Sequence, residues 1–132
     1  IFEWYRQRLE GTGGVRFMPE AACGRCTRWL TVMEISSKVL KCGSYKVGES
    51  EAGRPADAVM RVIESLEREN IESRPVWKPM HLQPVFKGTQ VYGGGVSERL
   101  FENGLCLPSG AGLNESDVEN VLVRVKKALS CE

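Results

Sequence analysis

The stretch RPVWKPMHLQPVF, residues 74–86, contains the single histidine of the chain, a tryptophan followed by a lysine, and three prolines. Proline lacks a backbone N–H and has a fixed φ angle, so it disrupts helix interiors and inner strands. The prolines therefore predict a shaped loop in place of either element. Ordered loops on a rigid scaffold often carry binding residues, which makes this loop the first candidate for a functional surface.

The residues on either side of the loop have helical periodicity. From Pro55, apolar residues recur at intervals of three and four, which predicts an amphipathic helix that ends near Asn70. A second helix is predicted from residue 115 to about residue 129, with Asn114 as its N-cap and Asp117 near its positive end. Its predicted apolar face comprises Val118, Val121, Leu122, Val125 and Leu129.

Shorter patterns complete the predicted architecture. An amphipathic helix over residues 1–10 stops at GTGG, and Ser97 is predicted to cap a short helix that ends before Gly104. Residues 36–54 predict an irregular connection with room for one brief strand. Clusters of β-branched and aromatic residues predict strands at residues 15–18, 29–35 and 105–107. The chain is thus predicted to be α+β, a small antiparallel or mixed sheet with helices packed on one face.

The charge balance argues against several classes of protein. The 132 residues include 18 Lys and Arg and 17 Asp and Glu, for a formal net charge of +1. This balance gives no electrostatic case for a nucleic acid or an anionic membrane as a partner. The longest apolar runs are far too short for a bilayer span. The composition is typical of one globular domain, which we expect to be cytoplasmic.

The cysteines raise the question of a metal site. Five cysteines is an odd number, and the chain is not disulfide-dense, which favours a reducing compartment. Cys23 and Cys26 form CGRC, the spacing of a redox or zinc half-site. A structural zinc site needs four ligands, and no second CxxC or HxxxH follows, although the fold could recruit Cys42 and His81. We therefore expect unligated loop thiols and no metal.

The proline-rich loop brings four candidate binding residues together in sequence. His81 has no evident partner for Ser-His-Asp or Cys-His catalysis, so a structural role competes with a ligand contact. Trp77 could be a core residue, but a flat indole close to Arg74 and Lys78 is suited to a sugar or a nucleotide phosphate. A solvated, mildly basic turn is the alternative. The glycines at residues 93–95 lack the spacing of a phosphate loop.

Three blocks of sequence together resemble a known family. They are NIESRPVWKPMHLQPVF (residues 70–86), VSERLFENGLCLPSG (96–110) and LNESDVENVLVRVKKAL (113–129). Their order and spacing are similar to the C-terminal part of the DegT/DnrJ/EryC1/StrS sugar aminotransferases. RWLTVMEI and the amphipathic start also fit the small domain of that family, so the resemblance covers nearly the whole chain. CGRC and residues 36–54 depart from it, which leaves the local structure there open.

The resemblance implies a pyridoxal 5'-phosphate enzyme of the aspartate-aminotransferase fold type. Members of the family move an amino group, usually from glutamate, onto a keto carbon of a nucleotide-linked sugar. Here the resemblance implies a UDP- or dTDP-4-keto-deoxyhexose, whose aminated product enters bacterial polysaccharide or glycan synthesis. The full-length enzyme is then expected to be a homodimer.

The resemblance also implies which groups the chain lacks. In this family the Schiff-base lysine, the aspartate that pairs with the pyridinium nitrogen and the phosphate cradle all belong to a large N-terminal domain. We therefore expect residues 1–132 to be the C-terminal small domain of a longer enzyme, which begins inside a helical pattern at Ile1. No catalytic or cofactor-binding residue is assigned, and we expect no transaminase activity from this part alone.

On matching positions, the resemblance implies that four residues face the bound sugar nucleotide. Their charge suits Arg74 and Lys78 to a phosphate or a carboxylate. Trp77 has a stacking or shape role, and His81 donates or accepts a hydrogen bond at the edge of the substrate or cofactor. Two other functions stay open: a stand-alone, non-catalytic module that binds a nucleotide or a partner through this loop, and a zinc-bound interaction domain.

Overall fold

The computed structural model describes residues 1–36 and 54–130, which form one four-stranded antiparallel sheet and four α-helices. The strands are β1 (Val15–Phe17), β2 (Thr31–Ile35), β3 (Arg74–Pro75) and β4 (Gly104–Leu107), in the spatial order β1-β2-β4-β3. The helices are α1 (Phe2–Leu9), α2 (Asp57–Glu67), α3 (Gly95–Asn103) and α4 (Glu115–Ser130). The predicted α+β class is confirmed. Cys42 and all but the two end residues of the predicted irregular connection lie outside the described residues.

The main core lies between one face of the sheet and helices α1, α2 and α4. Side chains alternate along a strand, so β2 turns Met33 and Ile35 toward the helices and Glu34 toward the opposite face. Tyr5 of α1 is fully buried, and this burial raises the pKa of its hydroxyl. The predicted apolar face of α4 is buried along its whole length. None of the helices in residues 1–36 and 54–130 is long and apolar enough to cross a bilayer.

Strand β3 is an edge strand of the sheet, and the rest of the proline-rich loop follows directly after it. Arg74 and Pro75 pair with Cys106 and Leu105 of β4, and the Val76 N–H donates to the Gly104 carbonyl at 3.0 Å. Pro75 has no N–H for a further neighbour, so it is compatible with an edge strand and not with an inner one. The chain therefore leaves the sheet immediately after β3, as the sequence predicts.

The ends of two helices test the local predictions. Asn70 follows α2 with φ 56°, the left-handed conformation expected of a residue at a helix end. Helix α3, however, begins at Gly95, so the prediction that Ser97 is its N-cap is wrong. Gly93 and Gly94 have φ of 71° and 111° and turn the chain into the helix three residues earlier, so that Gly94 is the N-cap.

Helix α4 begins with the predicted cap. The Asp117 N–H donates to Asn114 Oδ1 at 3.0 Å, and the Asn114 N–H donates to Asp117 Oδ2 at 2.9 Å. Two backbone donors without helical partners are thus satisfied reciprocally, which is the arrangement of a capping box.

Asn114→Ala is expected to lower the free energy of unfolding by about 1 kcal/mol, because the Asp117 N–H loses its acceptor. Urea denaturation followed by circular dichroism measures this change. Ser116→Ala is the matched control, because Ser116 is exposed on the same turn and its hydroxyl makes no hydrogen bond within the described residues. Equal unfolding midpoints for the two variants would contradict the capping role.

Candidate functional site

An open groove of about 880 Å³ runs past the edge strand β3. Residues 70–78 line it together with the turn at residues 108–110 and the first turns of α4. Its volume lies within the range of small-molecule sites. Cys106 also lines the groove, but burial raises the pKa of its thiol. This thiol therefore stays protonated at neutral pH and is not an activated nucleophile.

Two of the predicted cations line this groove. The Arg74 guanidinium is exposed and donates from Nε to Glu72 Oε1 at 2.7 Å. An exposed pair of this kind contributes little to stability, so an anionic ligand can compete for the guanidinium. Lys78 is exposed and has no ion-pair partner within residues 1–36 and 54–130. The groove thus presents two cations to a ligand.

The third predicted residue, Trp77, is a surface residue. Its side chain is 62% exposed and also lines the groove, so the core interpretation of Trp77 is wrong. It stacks on Trp29, which is 77% exposed, with ring centroids 6.2 Å apart and planes 25° apart. The two indoles form an exposed aromatic pair, a surface suited to flat or sugar-like ligands.

Trp29 is a candidate residue that the sequence places inside a strand. In the structure β2 begins at Thr31, because Arg28 has φ 53° and turns the chain before the strand starts. The Arg28 guanidinium donates to the Met18 carbonyl at 2.8 Å and lies 3.9 Å from the centre of the Phe2 ring. These contacts fix the turn and direct Trp29 toward Trp77. Its neighbouring arginines are the one sequence signal that could have singled it out.

The loop after Lys78 is built from single turns of 3₁₀ helix. Met80–Leu82 and Pro84–Phe86 each form one turn, joined by Gln83. The Gln83 side-chain amide donates to the Lys78 carbonyl at 3.2 Å and holds the loop to its own start. Prolines that precede or open each turn prevent a longer helix. The sequence prediction of a shaped loop is therefore confirmed.

His81 does not share the groove with the other three predicted residues. It does not line the groove, and its side chain is only 18% exposed. Its Nε2 lies 2.7 Å from Glu98 Oε1 in the first turn of α3. The structure therefore brings Arg74, Trp77 and Lys78 together, and it places His81 between the loop and a helix.

The cysteines do not form a metal site in the part of the chain that the structure describes. Cys23 and Cys26 are free and exposed, and no cluster of three potential metal ligands occurs within residues 1–36 and 54–130. Cys42, the third ligand of the zinc hypothesis, lies outside these ranges.

The described residues do not by themselves fit pyridoxal 5'-phosphate. A site for this cofactor needs a lysine that reaches the cofactor and a carboxylate beside its ring nitrogen. The lysines of the described ranges are all exposed: Lys78, Lys87, Lys126 and Lys127. Both aspartates there are also exposed, and the buried carboxylate of Glu34 already contacts Arg16 and Arg99. These residues can supply a wall of a cleft, but not the cofactor site.

The chain is similar to part of two longer proteins. EpsN of Bacillus subtilis, provisionally named a pyridoxal phosphate-dependent aminotransferase, is 39% identical over 126 residues, 92% of this chain and 28% of EpsN. GDP-perosamine synthase of Caulobacter vibrioides is 28% identical over 130 residues, 98% of this chain and 31% of the synthase. The chain therefore spans about three tenths of the length of these relatives.

Solved structures share the fold at low sequence identity. The aminotransferase TlmJ from Streptoalloteichus hindustanus superposes with a TM-score of 0.70 and 24% identity over 98% of this chain and 30% of TlmJ. Spr1654 from Streptococcus pneumoniae gives 0.71 and 16% over 98% of this chain and 29% of Spr1654. The family described as "DegT/DnrJ/EryC1/StrS aminotransferase family" matches residues 37–126. The chain belongs to the DegT/DnrJ/EryC1/StrS aminotransferase family.

Proposed function

We propose that residues 1–132 are the C-terminal small domain of a pyridoxal-phosphate-dependent aminotransferase that acts on a nucleotide-linked keto-sugar. The proposal rests on which chemical groups the described residues contain and which they lack. The described residues present a groove lined by two exposed cations and by Trp77, which stacks on Trp29, but their lysines are exposed and provide no cofactor site. The relatives are about three times as long as this chain, which leaves room for a cofactor-holding part.

The reaction is the transfer of an amino group, from glutamate, to the keto carbon of a UDP- or dTDP-4-keto-deoxyhexose. The name of the relative GDP-perosamine synthase supports a nucleotide-linked sugar as the substrate class. The cofactor, held by another part of the protein, carries the amino group between the two substrates. The aminated sugar then serves polysaccharide or glycan synthesis, in a homodimeric enzyme of the bacterial cytoplasm.

The residues of this chain bind and orient the sugar nucleotide. Lys78 and Arg74 attract its diphosphate, because both cations are exposed on the same groove. Trp77, backed by Trp29, gives the groove a flat wall against which a sugar or base can be placed. His81 contributes a hydrogen bond from the loop beyond Lys78. Correct placement of the keto carbon is the contribution of this domain to the rate.

The 132-residue chain produced on its own is expected to show no transaminase activity, because the reactive lysine and the cofactor cradle are elsewhere. The chain is mixed with pyridoxal 5'-phosphate, glutamate and a UDP-4-keto-sugar, and 2-oxoglutarate formation is followed with a coupled assay. The product of the complete gene is the positive control. Repeated turnover by the isolated chain, with a cofactor absorption band that shifts when glutamate is added, would refute the proposal.

Lys78→Met in the product of the complete gene is expected to raise the KM for the nucleotide sugar about 10-fold, because one charge-assisted contact to the diphosphate is lost. The effect should shrink at high salt, since screening weakens the contact in the unmodified enzyme too. Lys87→Met is the matched control, because Lys87 is an exposed lysine of the same loop region that does not line the groove. Equal KM values for both variants would remove Lys78 from the site.

A further inference from the structure

His81 and Glu98 form a long-range contact between the proline-rich loop and α3. The imidazole Nε2 lies 2.7 Å from Glu98 Oε1, and the His81 side chain is mostly buried, whereas Glu98 is partly exposed. The loop does not need this contact for its shape, because its turns are closed by backbone hydrogen bonds and by Gln83. The contact therefore acts chiefly on the orientation of the imidazole ring.

Gly94 packs directly against this pair. A Cβ at position 94 would lie 3.0 Å from His81 Cε1, 3.2 Å from His81 Nε2 and 3.2 Å from Glu98 Oε1. The residue also has φ 111°, a conformation that side chains rarely adopt. Its carbonyl accepts from the Glu98 N–H at 3.0 Å and from Ser97 Oγ at 2.8 Å. The imidazole and the Glu98 carboxylate thus occupy the space that a side chain at position 94 would need, and only glycine fits there without displacing them.

We propose that Glu98 is a positioning residue that holds the His81 ring with its Nε2–H toward α3 and leaves Nδ1 to the substrate. An ionised carboxylate only accepts hydrogen bonds, so the nitrogen that it contacts carries the proton. In the neutral ring the other nitrogen, Nδ1, is then an acceptor. Nδ1 makes no hydrogen bond within the described residues. This proposal rests on the proposed function.

The tautomer decides which chemical group His81 recognises. An acceptor at Nδ1 fits a hydroxyl or amino hydrogen and repels a phosphate oxygen. His81 is therefore suited to a hydroxyl of a sugar that extends beyond the groove, while Arg74 and Lys78, which line the groove, take the diphosphate. This division separates recognition of the sugar from recognition of the nucleotide within one segment of the chain.

The tautomer is measured by ¹⁵N NMR of the histidine-labelled product of the complete gene, at a pH where the ring is neutral. His81→Gln identifies the signals of His81 by subtraction. In the unmodified protein we expect a protonated Nε2 and an unprotonated Nδ1. In Glu98→Gln we expect both tautomers, because an amide both donates and accepts. Glu102→Gln, on the same helix and without a side-chain hydrogen bond in the described residues, should leave the tautomer unchanged.

Kinetics tests the link to the substrate. Glu98→Gln is expected to lower kcat/KM for the nucleotide sugar about 10-fold, chiefly through KM, while Glu102→Gln has little effect. A single Nδ1–H tautomer in the unmodified protein, or an unchanged tautomer in Glu98→Gln, would overturn the proposal. A changed tautomer with unchanged kinetics would overturn it as well. If the unmodified protein neither binds nor converts a nucleotide sugar, the proposed function fails, and the tautomer of His81 still tests the positioning role of Glu98.

Gly94→Ala gives an independent test that leaves Glu98 in place. The added methyl group meets the imidazole, so the same loss of tautomer selection and the same rise in KM are expected. Gly93→Ala is the matched control, because Gly93 also has a positive φ, but a Cβ at position 93 would meet no atom within 4 Å beyond its chain neighbours. Equal KM values and equal tautomers for the two alanine variants would count against the proposal.

Discussion

The close approach at Gly104 is the constraint on which both sides of the candidate site depend. A Cβ at this position would lie 2.4 Å from the Leu100 carbonyl oxygen and 2.7 Å from Val76 Cγ2. Both distances are shorter than real Cβ contacts, and one neighbour is backbone, so any side chain would displace α3 or the residues after β3. Helix α3 carries Glu98, and Val76 leads directly into the proline-rich loop. The absence of a Cβ at Gly104 therefore allows the short distance between α3 and the start of the proline-rich loop.

A buried carboxylate fixes α3 against the sheet in a second place. Glu34 of β2 contacts the guanidinium of Arg99 on α3 and, at 3.6 Å, that of Arg16 on β1. An ionised carboxylate that is buried without partners costs several kcal/mol, so this side chain strongly favours the arrangement that brings a cation to it. Helix α3 contributes Phe101 to the buried residues, but Phe101 lies outside the main core. Electrostatics thus holds in place a helix that hydrophobic packing alone would fix less firmly.

The sequence predicts those features whose physics is local. The cap at Asn114, the left-handed Asn70 and the apolar face of α4 each depend on residues within one or two turns. The surroundings of the site residues depend on distant partners instead. No pattern near His81 identifies Glu98, and Trp77 could be assigned to the core because its stacking partner belongs to another segment. The start of α3 differs from the prediction because a pair of left-handed glycines, and not the serine, turns the chain into the helix.

The stacked pair of Trp29 and Trp77 connects two segments of the chain, and only one of them lies within the family match. The match covers residues 37–126, so it includes Trp77 and not Trp29. Trp29 reaches its partner because Arg28 adopts a left-handed conformation, which costs about 1 kcal/mol for a residue with a Cβ. A backbone carbonyl and the Phe2 ring hold the Arg28 guanidinium and offset that cost. The position of the Trp29–Trp77 pair is therefore set by proline geometry in the segment of Trp77 and by a cation held on an aromatic ring in the segment of Trp29. Arg28 and Trp29 precede β2, so the contacts that place Trp29 are separate from the strand pairing that sets the register of the sheet.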